Sequence, residues 1–130
     1  MNYMELSLLP NSFSICRLPA SADIPLWPMQ GSFFSVTRTA EELSIVCEER
    51  YVRREEPAMK VEDGWRCLKL RGPIPFEMTG VIASLTKPLA ENNLSVFVVS
   101  TFDTDYLLVR STTIVKAIDT LRKAGHTIEE

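Results

Sequence analysis

The stretch "SVFVVSTFDTDYLLVR" (residues 95–110) decides the fold, because it holds two apolar segments separated by a short polar break. Residues 95–101 and 105–109 are rich in β-branched and aromatic side chains, which is typical of strands. The hydroxyl and carboxylate side chains between them are typical of a turn. The sequence therefore predicts two neighbouring strands joined by a bend.

Helical periodicity lies on both sides of this strand pair. Apolar residues recur three or four positions apart at Met78, Val81, Ile82, Leu85 and Leu89, which predicts one buried face of a helix over 79–93. Asn93 is its expected left-handed stop. Pro88 lies inside this helix and has no N–H, so we expect a kink there. A second helix is predicted to start near residue 111 and to stop at Gly125.

Two further strands complete the pattern of this half, at 66–72 and at "HTIE" (126–129). The resulting order is strand, helix, strand, strand, helix, strand, which is the ferredoxin-like arrangement. The predicted fold class is therefore α+β, with helices on one face of an antiparallel sheet.

The first half of the chain repeats this pattern at an offset of 63 residues. "SVTRTAEELSIVC" (35–47) then falls on "VVSTFDTDYLLVR" (98–110) without a gap. In this alignment Thr37 overlays Ser100 and Glu42 overlays Asp105. The same offset also aligns Pro10 with Pro73 and Phe13 with Phe76. A shared offset over several elements indicates duplication.

The sequence thus predicts two tandem ferredoxin-like repeats, 1–62 and 63–130. Strands of the first repeat are expected at "MELSLL" (4–9), "FSICRL" (13–18), "SFFSVTR" (32–38) and "ELSIVCE" (42–48). Prolines in "CRLPASADIPLWPMQ" (16–30) and Pro57 predict that the helices of this repeat are reduced to a turn or two or replaced by a loop. The charge run 48–56 is interpreted as a solvated surface.

Composition and charge exclude several classes of function. The net charge is −3 and no basic patch with interleaved aromatics is present, so we expect no nucleic-acid partner. Apolar runs are too short for a membrane span and no leader pattern is visible, so we expect a cytoplasmic protein. The three cysteines are isolated and His126 is the single histidine. We therefore expect reduced core thiols, no metal site and no cofactor.

A candidate binding site lies where the first predicted helix begins beside the polar break. A helix N-terminus presents free N–H groups and positive partial charge, which favour a carboxylate, and Gly80 leaves the backbone accessible. Ser100, Thr101, Asp103 and Asp105 offer hydroxyls and carboxylates for an ammonium group. Anion and cation receptors side by side are what a zwitterion requires.

The same residues also fit a purely structural interpretation, which the residues alone leave open. Thr79 is then the cap of the helix, Asp103 belongs to a hairpin turn, and Asp105 bonds local backbone N–H groups. Phe102 is then a core residue.

The segment "GPIPFEMTGVIASLTKPLAENNLSVFVVSTFDTDYLLVR" (72–110) resembles the ACT domain family. It is most similar to small tandem-ACT proteins related to the regulatory end of aspartate kinases and to the CASTOR-type arginine sensors, and "FFSVTRTAEELSIVC" (33–47) resembles their first repeat. The resemblance implies βαββαβ modules that bind amino acids between ACT units and commonly form homodimers. The effector contacts that it implies are Met78, Gly80, Val81, Ile82, Thr101, Phe102 and Asp105.

The sequence departs from the arginine sensors at Met78. The resemblance implies that those sensors have an acidic side chain at this position. Methionine supplies no charge to pair a guanidinium, so the resemblance does not extend to arginine specificity. A regulatory small-molecule module is the leading hypothesis, and a structural or protein-interaction module with a decayed effector site is the alternative. An enzyme is disfavoured, because the lone His126 and the isolated cysteines offer no catalytic group.

Overall fold

The computed structural model describes residues 2–55 and 57–130. The strands of this part are β1 (Glu5–Leu18), β2 (Ser35–Arg38), β3 (Leu43–Glu48), β4 (Lys60–Leu70), β5 (Phe97–Ser100), β6 (Asp105–Arg110) and β7 (Thr127–Glu129). Two α-helices are present, α1 (Val81–Glu91) and α2 (Ile114–Lys123). Short 3-10 turns lie at Trp27–Gln30, Glu49–Tyr51 and Ser111–Thr113. The predicted α+β class is confirmed.

The chain divides into two compact units. The N-terminal unit is Asn11–Trp65, and the C-terminal unit is Arg66–Glu130 together with the segment up to Pro10. Both β1 and β4 therefore contribute residues to each unit. The division into repeats 1–62 and 63–130 stays a prediction, since these units are defined by contact and not by duplication.

In the C-terminal unit, β4, α1, β5, β6, α2 and β7 follow one another in the predicted βαββαβ order. The strands lie in the order β7, β1, β4, β6, β5, so the first part of β1 is inserted between β7 and β4. One apolar core joins both helices to the sheet. It includes Leu68, Leu70, Leu85, Leu89, Leu107, Val109, Ile118 and Leu121. Alternate residues of β4 and β6 face this core, as the two-residue period of a strand requires.

The helix stops of this unit lie where the sequence predicts them. Asn93, just beyond α1, has φ +58°, and Gly125, just beyond α2, has φ +103°. Both values fall in the left-handed region that ends helices. α1 continues through Pro88 to Glu91, so the proline does not terminate the helix.

In the N-terminal unit the strands lie in the order β2, β3, β1, β4. Single 3-10 turns, Trp27–Gln30 and Glu49–Tyr51, stand where a ferredoxin-like unit has its helices, which confirms the predicted reduction. Pro28 near the start of the first turn is compatible with so short an element. The core of this unit contains Cys16, Leu18, Leu43, Ile45 and Cys47.

Two expectations about strand bounds in the first half are wrong. The strands predicted at 4–9 and 13–18 form the single strand β1. This strand pairs with β7 at Glu5–Ser7 and with β3 at Phe13–Leu18, and Pro10 lies between these two paired stretches. Pro10 is therefore tolerated although it has no N–H to donate. The predicted strand at 32–38 shortens to β2.

The charge run 48–56 is not wholly a solvated surface. Glu48 is 2% exposed, and its carboxylate accepts hydrogen bonds from the backbone N–H of Ser32 (3.1 Å) and from Nε of Arg50 (3.1 Å). These bonds satisfy a charge that would otherwise be costly to bury. Glu56, at the end of the run, lies outside the described residues.

The elements of the two hairpins recur at an offset of 62 residues, and not at the predicted offset of 63. β2 (35–38) matches β5 (97–100), β3 (43–48) matches β6 (105–110), and the 3-10 turn 49–51 matches 111–113. Arg38, and not Thr37, therefore corresponds to Ser100, and Leu43 corresponds to Asp105. A shift of one residue moves every side chain of a strand to the other face, so the correction changes which residues of the two units are equivalent.

Candidate functional site

A cleft of about 430 Å³ lies in the C-terminal unit, between the start of α1 and the turn that joins β5 to β6. It brings together nine of the ten predicted site residues: Met78, Gly80, Val81, Ile82, Ser100, Thr101, Phe102, Asp103 and Asp105. Thr79 does not line the cleft, and its carbonyl accepts a hydrogen bond from Nδ2 of Asn2 (2.7 Å). The role of these residues in binding stays a prediction.

The start of α1 forms one wall of the cleft. Its N-cap is Gly80, with φ +77°, a conformation that glycine adopts without steric cost. Within residues 2–55 and 57–130 no side chain caps this helix, so the alternative role of Thr79 as a cap is excluded. The first-turn residues Val81, Ile82 and Ala83 line the cleft. Their N–H groups are among those that an α-helix leaves without an internal partner.

The turn Thr101–Thr104 forms the opposite wall. The N–H of Thr101 donates to the carbonyl of Thr104 (2.8 Å), and the N–H of Thr104 donates to Oγ1 of Thr101 (3.3 Å). Oγ1 of the buried Thr104 donates to the carbonyl of Leu70 (2.9 Å), which fastens the turn to β4. The predicted hairpin turn is therefore present, and it is at the same time a wall of the cleft.

Two carboxylates project from this wall. Asp105 lies opposite Ser100 in the β5–β6 ladder, and its Oδ1 accepts a hydrogen bond from the Ser100 hydroxyl. Asp103 is exposed at the tip of the turn. One carboxylate is thus oriented by a neighbouring hydroxyl, while the other is presented to solvent.

Two phenylalanines are exposed beside the cleft. Phe76 is 71% exposed and Phe102 is 79% exposed, so the alternative that Phe102 is a core residue is wrong. The two rings meet edge to face, with centroids 4.8 Å apart and an interplanar angle of 83°. Met78, also in the lining, is 44% exposed. The cleft therefore combines polar groups with an apolar edge, here called the aromatic edge (Phe76 and Phe102).

Sequence reasoning missed five residues of the lining: Ile74, Pro75, Phe76, Ala83 and Thr104. Most belong to the loop after β4, which the sequence showed only as a break in a strand. The N–H of Ile74 donates to the carbonyl of Asp103 (2.7 Å), so this loop is held against the turn. The available signal was the presence of large apolar side chains in a segment with no helical or strand periodicity.

The matching turn of the N-terminal unit is bridged by an arginine side chain. Thr39 and Glu42 make the same turn bonds as Thr101 and Thr104, with Thr39 N–H donating to the Glu42 carbonyl (2.9 Å). Arg38, which corresponds to Ser100, donates to the carbonyls of Ala20 and Ala22 in the loop after β1. The Arg38 guanidinium thus bridges two segments that correspond to the two walls of the cleft.

His126 has a structural environment. It is 5% exposed, and its Nδ1 accepts from the N–H of Met4 (3.0 Å). Nε2 therefore carries the proton and donates to the carbonyl of Ser84 (2.9 Å). Ser84 is the residue whose helical partner would be the N–H that Pro88 lacks, so the single histidine supplies the hydrogen bond that the proline removes.

The three cysteines are buried, and none of them forms a disulfide in the described part of the chain. Burial raises the pKa of the Cys67 thiol to about 12. A hydrogen bond from Cys47 to Cys16 lowers the pKa of Cys16 and raises that of Cys47. In the described part of the chain no group of three or more His, Cys, Asp or Glu side chains could hold a metal ion. Among the same residues no helix is long and apolar enough to cross a membrane.

Comparison with known families identifies both parts of the chain. The ACT domain model matches residues 60–123, and a model of an N-terminal domain matches residues 11–55. Protein Atu0741 from Agrobacterium tumefaciens has a solved structure that is similar over 98% of this chain and 93% of its own, with 44% identity and a TM-score of 0.90.

Two further comparisons find more distant likenesses. The cytosolic arginine sensor for mTORC1 subunit 1 of Bos taurus is 30% identical over an alignment of 99 residues that covers 70% of this chain. The chain spans only 30% of that sensor's length. The regulatory subunit of aspartate kinase from Thermus thermophilus has a TM-score of 0.62, covering 92% of this chain and 96% of its own. At 9% identity that likeness shows the fold alone. The chain is an ACT domain protein that is similar in sequence to the cytosolic arginine sensor and shares its fold with the regulatory subunit of aspartate kinase.

Proposed function

We propose that this chain is a non-catalytic regulatory module that binds an amino acid in the cleft of its C-terminal unit. One observation carries the proposal: the uncapped start of α1 faces the carboxylates of the β5–β6 turn across a single cleft. The α-carboxylate of an amino acid fits the N–H groups of the first helical turn. Its ammonium group fits Asp103 and the oriented carboxylate of Asp105.

The proposed site lies in the C-terminal unit. The matching position of the N-terminal unit is bridged by Arg38, whose guanidinium already bonds the carbonyls of Ala20 and Ala22. That unit also has a four-residue 3-10 turn in place of an α-helix in its corresponding segment. The free N–H groups and the open cleft are thus features of the C-terminal unit.

A second copy of the chain completes the proposed module as a homodimer. Phe76, Met78 and Phe102 are large apolar side chains exposed together at one cleft, and exposed apolar patches of this kind mark interaction or ligand sites. Packing of an ACT unit from the partner copy over the cleft would bury the effector. Binding then favours one arrangement of the two copies by its differential affinity for that arrangement. A cytoplasmic location accords with the arginine-sensor relative, which is named as cytosolic.

The alternative is a structural or protein-interaction module with a decayed effector site. It is favoured by one observation: the Asp105 carboxylate already accepts a hydrogen bond from Ser100 within the hairpin. In that case Asp105 stabilises the turn and takes no ligand.

Substitution of Asp105 separates the two functions. A thermal-shift panel of the standard amino acids is measured on the native chain and on Asp105→Ala, with Asp119→Ala, an exposed aspartate of α2, as the matched control. A ligand present at 100 times its Kd adds about 2.7 kcal/mol to the free energy of unfolding. We expect this stabilisation in the native chain and in the control, and its loss in Asp105→Ala.

A different pattern would favour the structural module. In that case no amino acid raises the Tm of the native chain, and Asp105→Ala lowers the Tm of the unliganded protein because the Ser100 hydroxyl loses its acceptor.

A further inference from the structure

We propose that the ligand of this cleft is an α-amino acid with an uncharged apolar side chain, such as phenylalanine, leucine or methionine. The inference rests on the proposed function and names the ligand class of that same site. It is carried by the aromatic edge, whose residues are not among those that hold the α-carboxylate and ammonium groups, and by the charges of the lining.

The aromatic edge offers an apolar surface for a ligand side chain. Phe76 and Phe102 are each more than two-thirds exposed and contact one another edge to face, so an incoming apolar group would bury ring surface that now faces water. Ile74, Pro75 and Val81 continue the apolar lining on the loop and helix sides. The cleft volume of about 430 Å³ lies in the range of small-molecule sites.

The charges of the lining disfavour charged side chains. No lysine or arginine is among the lining residues that the structure describes, so an acidic side chain would find no cation and would face Asp103 and Asp105. The α-ammonium group takes the carboxylates of both Asp103 and Asp105, and the lining that the structure describes holds no third carboxylate for a basic side chain. Met78 contributes only a thioether at the helix start.

The test compares amino acids that share the same main chain. Isothermal titration calorimetry of the native chain is done with L-phenylalanine, L-leucine and L-methionine, with L-arginine, L-lysine and L-glutamate, and with glycine as a probe of main-chain binding alone. We expect the apolar three to bind with Kd values at least tenfold lower than the charged three and glycine.

Variants of the aromatic edge locate this preference. Phe102→Ala and Phe76→Ala are expected to weaken L-phenylalanine binding at least tenfold and to leave glycine binding unchanged. Val115→Ala, which truncates an exposed apolar residue of α2, is the matched control and should bind as the native chain does. Both phenylalanines are exposed, so their truncation removes little packing; Phe102→Leu provides a milder variant.

The outcomes separate the ligand class from the function. Tightest binding of arginine, lysine or glutamate, or equal binding of glycine and phenylalanine, overturns the ligand class while the amino-acid module stands. Apolar preference that survives both phenylalanine substitutions also overturns it. If no amino acid binds, the proposed function itself fails.

Discussion

Replacement of His126 tests how the C-terminal unit accommodates a proline inside α1. Nε2 of His126 donates to the carbonyl of Ser84 (2.9 Å), and Nδ1 accepts from the N–H of Met4 (3.0 Å). The Ser84 carbonyl has no helical donor because Pro88 lacks an N–H. In His126→Leu both backbone groups lose their partner at a site that is 5% exposed.

The expected cost follows from these two hydrogen bonds. A buried polar group left without a partner costs about 1–3 kcal/mol. With two such groups, we expect His126→Leu to lower the free energy of unfolding by about 2–6 kcal/mol. Pro88→Ala restores an N–H that bonds the Ser84 carbonyl, so in that background only the Met4 bond is lost. The two substitutions are thus expected to couple by about 1–2 kcal/mol.

Urea unfolding followed by circular dichroism at 222 nm is the assay. Both α-helices lie in the C-terminal unit, so the helical signal reports on the part of the chain that contains His126. Four proteins form the cycle, namely the native chain, the two single variants and the double variant, with Val115→Ala as an exposed control. The m-values must agree for the free energies to be compared.

Two results would refute the reasoning. A cost below about 0.5 kcal/mol for His126→Leu would place it among ordinary surface substitutions. An equal cost of His126→Leu in the native chain and in the Pro88→Ala variant would show that His126 does not satisfy the carbonyl that the proline leaves free.

Two further predictions concern buried groups. Burial raises the pKa of the Cys67 thiol from 9.0 to about 12, so its contribution to stability is fully present below pH 9 and is lost as the pH rises towards 12. The free energy of unfolding should fall by about 1 kcal/mol between pH 9 and pH 10 through this group. Denaturant titrations of native protein and Cys67→Ala check this, and an identical pH slope in both would contradict it. Gly31→Ala should destabilise the N-terminal unit by about 2 kcal/mol, since its β-carbon would overlap the buried Glu48 carboxylate. Gly31 has φ −86°, so without that overlap alanine would stabilise slightly. Thermal unfolding monitored by Trp27 and Trp65 fluorescence shows whether Gly31→Ala lowers the Tm, as expected, or raises it, which would contradict the overlap.

Much of the C-terminal unit could be predicted from local pattern. The helical spacing of Val81, Leu85 and Leu89 places them in the core, and Asn93 and Gly125 occupy the left-handed positions that end the helices. Each of these features is set within a few residues of the chain, by periodicity or by backbone conformation. A single sequence therefore carries enough information for them.

The candidate site could be predicted in part. Nine of its residues come from the helix start and the polar break, two segments with recognisable local chemistry. The aromatic edge was missed, because it depends on the hydrogen bond from Ile74 to Asp103 that holds the loop of Phe76 against the turn. Such a bond joins residues far apart in sequence and leaves no periodic trace.

The sequence by itself determined the element types, the α+β class, the reduced helices of the first half and the family. Only the tertiary structure decided the register of the repeat, the union of two predicted strands in β1 and the burial of Glu48. The physical reason is that a strand's alternation shows which residues share a face, whereas its partner and register depend on hydrogen bonds to distant strands. Because the register differs by one residue, the counterpart of Ser100 is Arg38 and not Thr37. Arg38 bridges the turn of the N-terminal unit, whereas Ser100 lines an open cleft in the C-terminal unit.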